Sequence, residues 1–171
     1  MNMTTLKRIL VGVNHGFLMF GTTVYVGVLW ALHFFWYPSW EVMNVGNVQD
    51  HFILPTKTAT AFFTIVVPIM FVCAIIMIVL EWKTKFRWHA IIGLLGVIGA
   101  TFVGQVFIIP VNNTIAGGVE PAQLTALLNA WMMLNDIRWI IMTIMWLALM
   151  VYFLTKGNLL GEVVPEPSPE S

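Results

Sequence analysis

Amide, acidic and arginine side chains cluster in one polar stretch of an otherwise apolar chain. Asn112 and Asn113 lie between two apolar segments, and Asn135, Asp136 and Arg138 lie near the start of the second segment. Amides and an arginine can bind ligand oxygens and stabilise a developing anion, whereas a carboxylate can accept a proton. Because ionisable residues are costly at membrane depth, this stretch predicts a functional site.

Helical spacing divides the second half of this stretch into two faces. At about 100° per residue, Trp131, Asn135 and Arg138 lie within about 60° of one another. Asp136 points away from that face, so a salt bridge between Asp136 and Arg138 along the helix is not favoured. Either residue can still pair with another helix.

The partners expected for Arg138 come from the segment around Pro110. An arginine that leaves water needs acceptors, and Gln105, Asn112 and Asn113 can supply them. Two interpretations remain open. In one, a hydrogen-bond network only closes the outer end of a helix bundle; in the other, the same groups bind a ligand.

The composition predicts an integral membrane protein. Of the 171 residues, 59% are hydrophobic and only 9% are charged, whereas soluble domains carry about 25% charged residues. The net charge of zero offers no basic surface for nucleic acid, so that class of partner is excluded. The single cysteine, Cys73, lies in an apolar run and is interpreted as a small buried hydrophobe.

Four apolar segments are long enough to cross a hydrocarbon core, which takes about 20 helical residues. They predict an all-α, integral membrane four-helix bundle formed by residues 1–155. Residues 156–171 are rich in Pro, Glu and Ser and are expected to form a disordered cytoplasmic tail. The predicted spans are about 13–36, 58–80, 89–109 and 137–154.

The distribution of basic residues predicts the orientation. Lys7 and Arg8, the three basic residues within 83–87, and Lys156 fall on one side, as in cytoplasmic loops. Both termini are therefore expected in the cytoplasm, with the two long connections outside it. The apolar run after Arg8 is too long for a cleaved signal peptide. We expect a protein of the bacterial inner (cell) membrane.

Small residues predict close helix packing. Gly12 and Gly16 in the first span, and Gly96, Ala100 and Gly104 in the third, repeat every four residues. Small residues at this spacing let helix backbones approach one another. The pattern fits packing within one bundle as well as a dimer, so the oligomeric state stays open.

Prolines indicate where helices begin or bend. Pro110 is expected to end the third helix, and Pro68 to kink the second. Glu120 and Pro121 resemble a helix start, from which a helix can run unbroken into the fourth span. Residues 39–57 contain amphipathic turns, so the outer connections are expected to be partly helical.

The four histidines permit two further hypotheses. His15 and His89 near the inner surface, and His33 and His51 near the outer one, are candidate axial ligands of one or two haems. Alternatively, His33, His51 and Asp136 supply a metal site of two histidines and one carboxylate. Neither hypothesis has a local motif, and interfacial or packed histidines are the simpler interpretation.

Three short motifs lie along the chain: Gly21-Thr-Thr-Val-Tyr-Val-Gly27 followed by Tyr37-Pro38, then Pro110-Val111-Asn112-Asn113, and finally Trp131, Asn135 and Arg138. Together they resemble the anthrone oxygenase-like family, small four-helix membrane proteins largely of unknown function. The resemblance extends over nearly all of residues 10–155. Many relatives have a histidine immediately after the asparagine, where this chain has Asp136.

The resemblance implies an oxygenase or oxidoreductase that acts on a hydrophobic, aromatic substrate. Anthrone oxygenases convert an activated methylene to a carbonyl with dioxygen, and the resemblance implies no particular cofactor. In this hypothesis Arg138 stabilises an enolate, Asp136 or His33 abstracts the proton, and Trp131 stacks on the substrate. The residues expected to bind substrate oxygens are Gln105, Asn112, Asn113 and Asn135.

Two alternatives come from other functional classes. A haem-binding electron-transfer protein would use some of the four histidines. A non-catalytic membrane subunit would use the polar stretch only for packing. All three hypotheses place the chain in a lipid bilayer, and the enzyme also needs a hydrophobic small molecule as its partner.

Overall fold

The structure is a computed structural model that describes residues 3–157, and its long elements are helices. The predicted tail lies almost entirely outside the described residues. The α-helices are α1 (Met3–Ala31), α2 (Leu54–Glu81), α3 (Arg87–Val103), α4 (Ile109–Ala116) and α5 (Pro121–Lys156). Shorter helical turns extend them at Leu32–Trp36, Tyr37–Val42, Gln49–Ile53 and Gly104–Ile108.

These elements join into four rods that confirm the predicted four-helix bundle. Each rod is long and apolar enough to cross a membrane, and each contains one predicted span. The rods are Met3–Val42, Gln49–Glu81, Arg87–Ala116 and Pro121–Lys156. Both described ends of the chain lie at one end of the bundle, because four rods cross it; the opposite end is called the outer end below.

The rods are longer than a membrane requires. The 36 residues of α5 extend about 54 Å, whereas a hydrocarbon core is about 30 Å thick. The parts of the chain beyond this length form an outer cap, which consists of residues 37–53, α4 and the first half of α5. Its buried core comprises Val48, Phe52, Ile115, Leu124, Leu128 and Trp131. The helix from Pro121 runs unbroken into the fourth span, as predicted.

Three wide helical turns lie before prolines. In the turns at Leu32–Trp36, Gln49–Ile53 and Gly104–Ile108, the residue just before proline donates its N–H to the carbonyl five residues back. A proline ring clashes with the carbonyl four residues back, and a widened turn moves that carbonyl. The prediction that the third helix ends at Pro110 is therefore wrong, since Pro110 lies in the first turn of α4.

Close helix packing occurs at a predicted glycine of α3 but not at the two predicted glycines of α1. A Cβ on Gly96 would lie 2.8 Å from Met145 Cβ, so α3 and α5 are in close contact there, as expected. Gly12 and Gly16 have no atom within 4 Å of a built Cβ, so this face does not pack closely within the bundle, and the dimer alternative stays a prediction. The close approach on α1 is instead at Gly21, which packs against Met70.

A buried polar cluster closes the inner end of the bundle. The Glu81 carboxylate is 2% exposed and accepts hydrogen bonds from Tyr152 Oη (2.8 Å), Thr84 Oγ1 (2.7 Å) and Lys156 Nζ. His15 Nδ1 lies 3.4 Å from the Tyr152 hydroxyl. The cluster ties α1, α2 and α5 together.

Removal of the Glu81 carboxylate is expected to destabilise this end of the bundle. Glu81→Ala leaves three donors without their acceptor and should lower the free energy of unfolding by about 1–3 kcal/mol. Glu81→Gln keeps an acceptor oxygen and should lose less. Thermal unfolding in detergent micelles measures both; equal losses would show that the hydrogen bonds contribute little.

Candidate functional site

A large cavity occupies the outer half of the bundle. It has a volume of about 1180 Å³ and is lined by all four rods. The end of the cavity nearest the inner end of the bundle, called the deep end below, is lined by Tyr25, Pro68, Ala100 and Arg138. The opposite end, called the roof, is formed by cap residues such as Trp40, Met43, Asn47, Asp50 and His51. This size and a largely apolar wall suit a hydrophobic molecule.

The wall of the cavity is mainly aliphatic and aromatic. α2 contributes Leu54, Phe62, Phe63 and Val67, and α1 contributes Leu29. Leu54 is 56% exposed and Phe62 is 47% exposed. The α2 side of the cavity therefore includes side chains that the rest of the bundle covers only in part.

A chain of hydrogen bonds runs from the deep end of the cavity to the outer cap. Arg138 Nη1 donates to Asn135 Oδ1 (2.8 Å), and Arg138 Nη2 donates to the Tyr25 hydroxyl. Asn135 Nδ2 donates to the Trp131 carbonyl (3.0 Å), and Trp131 Nε1 donates to Asn112 Oδ1 (2.8 Å). The predicted common face of Trp131, Asn135 and Arg138 is confirmed.

The expected partners of Arg138 are wrong. Its acceptors are Asn135, one turn back on α5, and Tyr25 on α1, whose ring centroid lies 5.1 Å from the guanidinium carbon. The guanidinium also lies against Gly104, where a built Cβ would be 3.7 Å away. Because the third rod continues past Pro110, Asn112 lies farther out and accepts from Trp131 instead.

The structure separates the predicted catalytic residues. Arg138 lines the cavity, whereas His33 and Asp136 are absent from its lining. His33 Nδ1 lies 2.8 Å from Asp136 Oδ1, and the His33 ring stacks on Trp139 with centroids 4.8 Å apart. Asp136 therefore lies on a different face of α5 from Arg138, and it faces His33 of the first rod. The predicted substrate-binding residues Gln105, Asn112, Trp131 and Asn135 line the cavity, but the exposed Asn113 does not.

The structure does not form the predicted metal site. Within residues 3–157, no group of three His, Cys, Asp or Glu side chains is placed to hold a metal, so the set of His33, His51 and Asp136 is wrong. Of the four histidines, His51 alone lines the cavity. His15 and His89 both contact the Tyr152 ring near the inner end. The cavity thus offers no pair of axial histidines for a haem, and the haem hypothesis for the inner pair stays a prediction.

Sequence reasoning missed Tyr25, Asp50 and Glu81. Tyr25 is the one tyrosine within residues 21–27, and a polar hydroxyl among these residues could have indicated a site residue. Asp50 comes to the cavity roof through a turn that no local pattern predicts. Glu81 is the last residue of the apolar helix α2, and its distant partner Lys156 is the last residue of α5.

Comparisons with protein-family models, curated proteins and solved structures gave no match. The resemblance to anthrone oxygenases therefore stays a prediction that rests on its short motifs. The cavity and its polar deep end are the firmest basis for assigning a function.

Proposed function

We propose that this chain is an integral membrane protein that binds a hydrophobic, ring-containing molecule in the outer cavity and oxidises it. The observation that supports binding is a cavity of about 1180 Å³ with an apolar wall and one polar cluster at its deep end. Such an arrangement orients a lipophilic molecule through a few placed polar groups. The oxidation is proposed from the resemblance.

The cavity residues suit the first step of such a reaction. Loss of a proton from a methylene beside a carbonyl leaves an enolate, whose oxygen the guanidinium of Arg138 can stabilise. Among the described lining residues, Asp50 and His51 carry groups that can accept a proton near neutral pH. Dioxygen then converts the methylene to a carbonyl, and the two hydrogens leave with the second oxygen atom as water.

The proposal includes the orientation of the bundle in the membrane, with its inner end toward the cytoplasm. Basic residues of the inner end, at Lys7, Arg8 and within 83–87, support a cytoplasmic location for that end. The cavity then lies in the opposite leaflet and beneath the outer cap, where a substrate arrives from the bilayer. A bacterial inner membrane is the location proposed with it.

An assay with anthrone tests the reaction directly. The chain reconstituted in lipid nanodiscs is expected to convert anthrone and dioxygen to anthraquinone and water, measured by chromatography against empty nanodiscs. Arg138→Ala should lower the rate by about 100-fold or more, because it removes the group that stabilises the anion. Lys57→Ala, which removes an exposed charge outside the cavity, should leave the rate unchanged.

Three outcomes of this assay decide between classes of protein. An Arg138→Ala variant that folds and keeps its full rate excludes the proposed site. A wild-type protein that binds anthrone without turnover is a binding protein or subunit. A wild-type protein that neither binds nor converts anthrone excludes this substrate class.

A further inference from the structure

Arg138 carries a positive charge, and within residues 3–157 no carboxylate lies within 4.0 Å of its guanidinium. Its two hydrogen-bond acceptors, Asn135 and Tyr25, are neutral. The close contacts between acidic and basic side chains within residues 3–157 are Lys156 with Glu81 and His33 with Asp136, and neither includes Arg138. Arg138 Nε is buried and has no hydrogen-bond partner.

The position of Arg138 makes this charge costly. Arg138 is partly buried, and an unpaired charge inside a membrane bundle marks a ligand or ion site by default. Snorkelling to the outer surface does not explain it, since Asn135 and Tyr25 hold the guanidinium at the deep end of the cavity. The cavity is the open space beside it.

We infer that the ligand of this cavity is a lipophilic acid, whose single anionic group pairs with Arg138. A carboxylate or an ionised enol or phenol has the required chemistry, and a guanidinium binds such oxygens with strong, charge-assisted hydrogen bonds. This inference rests on the proposed function, because it assumes that the cavity holds a hydrophobic molecule.

The charges around the cavity also set the direction in which the acid binds. Asp50 lines the roof and repels an anion, whereas Arg138 at the deep end attracts it. The acid therefore binds with its anionic end at the deep end and its apolar body along α2. A phospholipid is less suitable, because its headgroup stays at the bilayer surface while its tails fill the core.

A matched pair of fluorescent probes tests the inference. 9-Anthracenecarboxylic acid and 9-anthracenemethanol share one ring system and differ in charge at neutral pH. Binding to the protein in phosphatidylcholine nanodiscs is measured by energy transfer from tryptophan, with empty nanodiscs subtracted. We expect the acid to bind at least about tenfold more tightly than the alcohol.

Two variants assign the preference to Arg138. Arg138→Gln keeps hydrogen-bond donors but removes the charge, and should bring the two affinities to within about twofold of each other. Lys57→Gln removes a positive charge near the same end of the bundle, outside the cavity lining, and should keep the full preference. Circular dichroism and thermal unfolding confirm that each variant is folded.

The possible results separate this inference from the proposed function. If neither probe binds the wild-type protein, the cavity function itself fails. If both bind equally well, the cavity binds hydrophobic rings but the inferred anion is wrong. Equal loss of preference in both variants would assign it to general surface charge and overturn the role of Arg138. In a last test, about one phosphatidylcholine in five is replaced by the anionic lipid phosphatidylglycerol. Displacement of the acid by this lipid would assign the site to a lipid headgroup instead.

Discussion

Gly96→Val is expected to disrupt packing between α3 and α5 and to leave little folded protein. A Cβ at this position would lie 2.8 Å from Met145 Cβ, a distance that only a backbone shift can relieve. Adding one methyl group to a packed core costs about 1–3 kcal/mol, and valine adds three carbons. The fraction of monodisperse protein after detergent extraction, followed by thermal unfolding, measures the loss.

Two matched glycine variants control for the intrinsic effect of the substitution. Gly96→Ala should lower the free energy of unfolding by about 1–3 kcal/mol. Gly16→Ala, at a site with no atom within 4 Å of the added carbon, should be neutral or stabilise by up to about 1 kcal/mol. Similar effects at both positions would show that α3 and α5 are farther apart than the structure places them.

Trp131→Ala is expected to loosen the outer cap and weaken ligand binding together. Trp131 is 4% exposed and contacts Tyr37, Trp40 and Phe52, with ring centroids 6.4, 5.2 and 5.3 Å away. Truncating such a buried aromatic residue costs about 3–5 kcal/mol. Hydrogen exchange should become faster in residues 37–53, which rest on this ring.

A phenylalanine variant separates the packing of Trp131 from its hydrogen bond. Trp131→Phe keeps an aromatic ring among Trp40 and Phe52 but loses the bond to Asn112, and should cost about 1–2 kcal/mol. If Trp131→Phe is as damaging as Trp131→Ala, the bond to Asn112 rather than ring packing holds the cap. Unchanged hydrogen exchange in Trp131→Ala would show that the cap does not depend on this residue.

Arg138 lies near the middle of α5, at the deep end of the cavity, and the outer half of α5 belongs to the cap. Arg138 is 18 residues from Lys156, or about 27 Å, and α5 continues about 26 Å farther to Pro121. The cap residues lie over the outer end of the cavity, and Arg138 is partly buried beneath them. A charge in such a site interacts more strongly with an anion than it would in water.

The sequence by itself determined the number of membrane helices, their approximate positions, and the common face of Trp131, Asn135 and Arg138. These features are local. About 20 apolar residues suffice to predict a span, and the helical repeat decides which side chains share a face. A helix start at Pro121 was also readable, because proline lacks the N–H that a first turn leaves unpaired.

Only the tertiary structure decided the partners of these residues across helices. The wide turns at Leu32–Trp36 and Gly104–Ile108 each insert a residue, which rotates everything beyond them relative to a regular helix. His33 lies within the first of these turns and meets Asp136 outside the cavity, and Asn112 lies beyond the second and meets Trp131. Pairing between helices depends on their relative rotation and depth, and no pattern within one segment records either.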